Sequence, residues 1–317
     1  MIILIISFTV SFFVLICLLK TNLGKIALDE PNHRSLHTLV TPRTGGLAIM
    51  FGLLVALAFL GGLWLWFGFV ITFMLISLVD DILGIQVRWR LLAQLLLCTY
   101  FIWILLPQFP WWMDLLELFA LVWMINLYNF MDGSDGLAGG MGLFGFGAYA
   151  FASYGAGDIQ LAMMSASVSA SCIAFLFFNF YPAKIFMGDA GSIPLGFLAG
   201  AIGLYGRQHV LWPMWFPVLV FSPFILDATI TLLKRAFRHE KLWQAHCEHY
   251  YQRLIQMGWG HKKTAIAEYT LMLSIAIFAL VMLKLSHLWV ILLLLFWLFV
   301  YFFSMLKIDK LWKQRLP

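Results

Sequence analysis

The chain has 317 residues, of which 63% are hydrophobic, 17% aromatic and only 11% charged, and its net charge is +5. A soluble domain carries about 45–50% apolar residues, so a water-soluble globule is excluded; the apolar runs are continuous rather than alternating, which also excludes a membrane β-barrel. The four cysteines, Cys17, Cys98, Cys172 and Cys247, are scattered, and no disulfide framework or CxxC motif follows from them.

In chain order, membrane-spanning helices are predicted near 2–20, 45–61, 63–79, 91–107, 113–130, 137–154, 159–178, 191–206, 211–233, 265–284 and 288–305. The first has no basic lead and no small-residue cleavage site, so it reads as a retained helix rather than a signal peptide. The expectation is an all-α, polytopic transmembrane helix bundle of eleven spans, or ten if Gly61–Gly62 lies within one long tilted helix across 45–79. With the N-terminus outside (periplasmic) and the C-terminus inside (cytoplasmic), the inner loops, their helix ends and the tail hold eighteen of the twenty Lys and Arg residues; only Arg207 and Lys284 fall outside. That asymmetry, facing an anionic inner leaflet, accounts for the net charge without nucleic acid. No repeat or soluble insertion interrupts the chain, which reads as one domain, 1–317.

The inner loops also carry the chemistry. The first, HRSLHTLVTPRTGGLAIM, places Arg34, His37 and Arg43 ahead of a TGG turn, suited to phosphate contact and equally to lipid headgroups. LVDDILGIQVRWR puts Asp80 and Asp81 at the foot of a span. Adjacent carboxylates raise one another's pKa unless a cation or a base such as Arg88 or Arg90 sits between them, so a metal or proton-acceptor role is open. NLYNFMDGSDGLAGG inserts Asn129, Asp132, Asp135 and several glycines between two apolar runs. Its glycines permit close backbone approach, Ser134 or Asp135 is placed to cap the helix from Leu137, and a carboxylate beside helix-start amides invites a divalent cation and a phosphate. NFYPAKIFMGDAGSIPLGF repeats that logic with Asp189, and adds Asn179, Lys184 as a phosphate cation and Phe186 as a flat face for a base. Asp227 sits about two turns from Lys234 and is expected to pair with a basic neighbour. The last inner loop contains HCEHYYQRL. On a helix, His246 and His249 share a face that Arg253 continues, an anion clamp for a diphosphate; zinc is the rival, with Cys247 pointing away from that face. Carboxylates at a helix centre cost ~2.5–3.5 kcal/mol each on insertion scales. That Asp80, Asp81, Asp132, Asp135 and Asp189 all fall at inner helix ends therefore suggests one shared site.

Taken in order, HTLVTPRTGG, VDD, NLYNFMDGSDGLAGG, NFYPAKIFMGDAGS and HCEHYYQRL resemble the motifs of the polyprenyl-phosphate N-acetylhexosamine-1-phosphate transferases (glycosyltransferase family 4), across nearly the whole chain. The HxxHxYQRL form looks most like the O-antigen-initiating branch. It departs from the consecutive histidines of the related phospho-N-acetylmuramoyl-pentapeptide translocase, the cell-wall alternative.

The resemblance implies transfer of a HexNAc 1-phosphate, from GlcNAc or a deoxy derivative such as FucNAc or QuiNAc, from a UDP-sugar to undecaprenyl phosphate with release of UMP. This would initiate lipopolysaccharide O-antigen or a related surface glycan at the cytoplasmic face of the bacterial inner membrane. It also implies Mg2+, with Mn2+ as a substitute. By motif position Asp189 would be the main metal ligand and Asn129 a second, Asp80 the base or orienting group for the lipid acceptor, and Asp81 its support. Asp132 and Asp135 would lie near the nucleotide, Phe186 near uracil, and His246, His249 and Arg253 around the diphosphate and sugar. Direct attack and a phosphoryl-aspartate intermediate both remain open, as does a homodimer. A transporter with an inner-face carboxylate site is the reading from another class; it would place charge near mid-span.

Overall fold

A computed structural model describes residues 1–29, 40–106, 110–241, 244 and 246–314. Arg34 and His37 lie outside the described residues. The apolar runs form helices α1 (Ile2–Lys20), α2 (Gly45–Leu60), α3 (Trp64–Leu83), α4 (Val87–Leu105), α5 (Trp111–Phe130), α6 (Leu137–Ala156), α7 (Ile159–Asn179), α8 (Asp189–Gln208), α9 (Trp215–Val220), α10 (Ser222–Phe237), α11 (Tyr250–Leu254), α12 (Gly260–Met282) and α13 (His287–Lys313). The only strands among the described residues are the short antiparallel pair Leu28–Asp29 and Thr41–Pro42. Among the described residues, α1, α3, α4, α5, α7, α13 and the run Tyr250–Met282 are long and apolar enough to cross a bilayer, and α2 is a shorter apolar helix. The chain is a multi-pass, all-α membrane protein.

Each predicted run coincides with a helix, with two refinements. Gly61 and Gly62 both have positive φ, 63° and 70°, so 45–79 is two helices joined by a turn and not one tilted helix. The run 211–233 is broken into α9 and α10, because Pro223 stands at the start of α10, where its missing N–H costs nothing.

Apolar surface alone does not hold helices together in lipid; close packing and interhelical hydrogen bonds do. Ser7 of α1 donates to the Ser167 carbonyl at 2.9 Å and lies 2.8 Å from Ser171 Oγ, both on α7, while Ser11 donates to the Ala48 carbonyl of α2. Phe73 and Phe197 stack at 4.5 Å between ring centroids and lock α3 against α8, with Phe101 of α4 edge-on to Phe197. A Cβ on Gly46 would lie 2.2 Å from the Gly191 Cα, so the N-terminal ends of α2 and α8 touch backbone to backbone. This packing brings the C-terminal ends of α3 and α5 and the N-terminal ends of α2, α4, α6 and α8 to one end of the bundle.

Candidate active site

Asp80 and Asp81 occupy the last turn of α3, where the helix dipole is negative and a carboxylate is disfavoured. They are held there by partners from elsewhere. Asp80 Oδ1 accepts the Ile85 N–H at 2.7 Å, just past Gly84, which ends the helix in the left-handed region (φ 66°). Asp80 Oδ2 accepts Arg90 Nη1 at 2.8 Å, and the same nitrogen donates to Asp189 Oδ2 at 3.0 Å. Arg90, in the first turn of α4, is thus a clip between α3 and α8. Asp81 accepts the Ala190 N–H at 3.0 Å, while Arg43 donates to the Asp81 carbonyl at 2.7 Å and lies 3.5 Å from its carboxylate. A Cβ at Gly188 (φ 72°) would sit 2.0 Å from the Arg43 carbonyl and 3.1 Å from Asp81 Oδ2, so only glycine fits between them.

From α5, Asn129 Nδ2 donates to Asp189 Oδ1 at 2.8 Å and to Ser192 Oγ at 2.9 Å. Asp132, one turn on, is half-buried, and its carboxyl is pushed well above the usual carboxylate range. Burial is the main cause; the charges of Asp189 and Asp81 add to it, and a Gly188 backbone hydrogen bond opposes it. Asp80, Asp81 and Asp189 therefore gather around two guanidiniums, Arg43 and Arg90, with Asp132 close enough to feel the charges of Asp189 and Asp81. Asp80, Asn129 and Asp189, 109 residues apart at the extremes, meet within a few ångströms.

A cleft of about 220 Å³ opens beside this cluster, lined by Asp29, Arg43, Asn129, Asp132, Gly133, Ser134, Asp135, Asn179, Phe186, Gly188, Asp189 and His261. Its far wall departs from the expected capping. Gly136 is the N-cap of α6 and neither Ser134 nor Asp135 caps it; Asp135 Oδ2 instead accepts the Ala183 N–H at 3.0 Å. Asn179 accepts the Gly136 N–H and donates to the Ile185 carbonyl, both at 2.9 Å, so it braces the two glycine turns against each other. His261 completes that wall, with Nδ1 3.0 Å from Ser134 Oγ and 3.8 Å from Asp135 Oδ1 and its ring stacked on Tyr181. Lys184 is exposed and does not line the cleft.

The histidine loop differs from the expected helix. His246 and His249 precede α11, with His249 as its N-cap, so they share no helical face; their rings nevertheless approach to 4.8 Å. Asp227 finds its basic neighbour in the histidine loop, His249, rather than in Lys234. It accepts the N–H groups of Tyr250 and Tyr251 at 2.8 and 3.1 Å and lies 3.3 Å from His249 Nδ1, anchoring the start of α11 where the dipole favours an anion. Burial, then the charges of His249 and Arg235, lower the His246 imidazole to about 4, so it is neutral at pH 7. The loop packs behind the cleft wall rather than lining it, with His249 stacked against Phe130 at 6.5 Å and the Tyr251 hydroxyl donating to the Phe130 carbonyl. Arg253 continues no clamp: it is buried, donating to Asp309 Oδ1 at 2.8 Å and to the Glu248 carbonyl.

Arg90 as a bridge, His261, Asp29 and the anchor Asp227 were not assigned these places from sequence. Arg90 carried a signal, since it lies ten residues from Asp80, but its bond to Asp189 depends on packing 99 residues away.

Carboxylate oxygens thus crowd at a helix end beside helix-start amides, where an anionic ligand is favoured. The profile of glycosyl transferase family 4 matches residues 63–207, which include Asp80, Asn129 and Asp189. The chain is 28% identical over 316 residues to the probable undecaprenyl-phosphate N-acetylglucosaminyl 1-phosphate transferase of Bacillus subtilis (strain 168), covering 91% of this chain and 86% of that one. It is 30% identical over 294 residues to the decaprenyl-phosphate N-acetylglucosaminephosphotransferase of Mycolicibacterium smegmatis (77% and 72% covered). It is 28% identical over 272 residues to the phospho-N-acetylmuramoyl-pentapeptide-transferase of Halalkalibacterium halodurans (76% and 82% covered). The chain belongs to the polyprenyl-phosphate N-acetylhexosamine-1-phosphate transferases, glycosyl transferase family 4.

Proposed function

We propose that this protein transfers a HexNAc 1-phosphate from a UDP-sugar to undecaprenyl phosphate, releasing UMP, at the cytoplasmic face of a bacterial inner membrane. The observation that carries this reading is the convergence of Asp80, Asp81, Asp132 and Asp189 on one cleft edge with Arg43 and Arg90, where like-charged carboxylates crowd and a divalent cation would relieve them. Among the described residues no three His, Cys, Asp or Glu side chains form a metal cage. Mg2+ fits such a site, because it keeps several waters and takes one or two carboxylates together with substrate phosphates. Asp189 would hold it, with Asp132 and the Asn129 carbonyl oxygen beside it; the Asn129 amide is already oriented by its Nδ2 bonds to Asp189 and Ser192. When bound, the ion would neutralise charge on the donor diphosphate.

The chain's own groups do the rest. An oxygen of the lipid phosphate attacks the phosphorus attached to the sugar; a new P–O bond forms, the bond to the bridging oxygen breaks, and UMP leaves with that oxygen. Arg43 lines the cleft and Arg90 lies against Asp80 and Asp189 at its edge, so phosphates would approach a site that is otherwise acidic. Both Asp80 oxygens already accept hydrogen bonds, from Ile85 and Arg90, which favours an orienting role: Asp80 sets the guanidinium, and the guanidinium sets the acceptor. A phosphate monoester is already nucleophilic, which favours direct attack. Phe186 and the His261–Tyr181 wall suit the nucleotide end of the cleft.

The HxxH spacing favours the O-antigen-initiating branch over the pentapeptide transferase. The test is radiolabel from a panel of UDP-HexNAc donors entering a butanol-extractable lipid. Transfer dependent on Mg2+, restored by Mn2+ and blocked by EDTA, with UMP released, is expected; absent or EDTA-insensitive transfer across the panel would remove this reading.

A further inference from the structure

A second cavity, of about 570 Å³, lies away from the carboxylate cluster, between α10, α11 and α13. Its walls are apolar, with Leu226 and Ile230 on one side and Leu298, Phe302 and Met305 on the other; only its end is polar, where Lys234, Tyr250 and Asp309 meet. It opens sideways, since Leu298 and Phe302 are 57% and 58% exposed. Of the 27 residues of α13 only Val290, Trp297 and Tyr301 are buried, so this helix stands off the bundle. It is fastened at two polar points, the 2.8 Å contact between Ser222 and Tyr301 hydroxyls and the Asp309 cluster. An apolar gap between two such fastenings, at membrane depth, needs an apolar filler.

The polar end specifies the filler's charge. Asp309 is shared by Lys234 Nζ and Arg253 Nη1, and the Tyr250 hydroxyl donates to it as well. Lys234 and Arg253 thus meet Asp309; Arg253 also lies 3.6 Å from Glu248, which Arg238 holds too, so three cations face two carboxylates, and Lys310 and Lys313 follow in the last turn of α13. A basic pocket between membrane helices at the inner headgroup level recognises acidic lipid.

We propose that this groove is a binding site for one acidic glycerophospholipid, with an acyl chain between α10 and α13 and its phosphate diester at the Lys234 end. The headgroup would brace Tyr250, which opens α11 beside His249 and Asp227. The acidic-lipid content of the membrane then steadies the histidine loop. Binding does not depend on the proposed transfer reaction and is measured without it.

The experiment is native mass spectrometry of the lipid-stripped full chain, titrated with phosphatidylglycerol and phosphatidylcholine of identical acyl chains. One phosphatidylglycerol should be retained at least roughly fivefold more tightly than phosphatidylcholine, the preference that a single basic residue confers on acidic lipid. Ile230→Trp fills the groove without touching the ion cluster and should remove the retained lipid. Leu298→Trp fills it from α13, should one variant fail to fold. Lys234→Gln should reduce the preference to near equality while leaving chain binding in place. Equal retention of both lipids, or phosphatidylglycerol persisting in both tryptophan variants, overturns the proposal. So does displacement of phosphatidylglycerol one for one by undecaprenyl phosphate, which would make the groove the acceptor's.

Discussion

Helices α5 and α8 pack side by side and are tied by polar groups at both ends, and the two ties differ in kind. At one end Glu117, near the start of α5, accepts Gln208 Nε2 at 2.6 Å and lies 3.4 Å from Arg207 Nη1, near the end of α8. Arg207 in the last turn of α8 agrees with that helix's dipole, and it meets Glu117 one to one, with Asp114 in the first turn of α5 nearby. At the other end Asn129 meets Asp189, but Asp80 and Asp81 crowd in from the wrong end of α3 and the acids outnumber the arginines. The first tie is a paired one, although Glu117 Oε2 and Gln208 Oε1 are buried without a hydrogen-bond partner, and it serves stability. The second violates local electrostatics and is held in place by the surrounding fold, as sites built for a ligand are.

The comparison can be broken from either side. The largest expected effect is at the acidic end: Asp189→Asn should lower transfer by roughly 10³-fold, within the range that loss of one transition-state charge partner produces, with the protein still monodisperse and inserted. Activity within a few fold of the parent would show that the cluster is not the site. Next is Arg90→Gln, which frees two carboxylates from their common clip; a fall of roughly 10- to 100-fold in transfer, typical for a group that orients ligands, is expected, measured against an unchanged elution profile. Glu117→Gln should do the reverse, leaving transfer rates alone and costing about 1 kcal/mol in thermal unfolding, the worth of one hydrogen-bonded charge. A catalytic defect there would erase the distinction between the ends.

The smallest effect concerns pH. His246 titrates at about 4 in the folded protein, against roughly 6.5 for an unperturbed imidazole. Its neutral form is the one the fold accepts, so its share of stability is complete above about pH 6.5 and is lost as pH falls towards 4. His246→Gln should flatten the thermal stability profile over that window, and an unchanged slope would count against the half-buried, neutral histidine.

The membrane helices were legible because long apolar runs report membrane burial directly. The convergence of Asp80, Asn129 and Asp189 was legible because carboxylates are rarely placed at helix ends in lipid without a partner. What escaped were partners chosen by packing. Asn179 has the composition of a ligand contact, yet its amide spans Gly136 and Ile185. Arg253 continues the histidine motif in sequence, yet its partner Asp309 lies on α13, 56 residues on. Asp135 sits where a cap belongs, but Ala183 offers its N–H to the same carboxylate. Nothing in a local window distinguishes these outcomes; they depend on which turns the glycines allow to touch.

The central claim, that these acids jointly hold one divalent ion, is tested most directly by electron paramagnetic resonance of Mn2+ titrated into the purified protein with UDP-GlcNAc. One bound ion per chain, lost in Asp189→Asn, weakened in Asp132→Asn and unchanged in Glu117→Gln, is the expected result. Mn2+ bound equally by the parent and Asp189→Asn would contradict it.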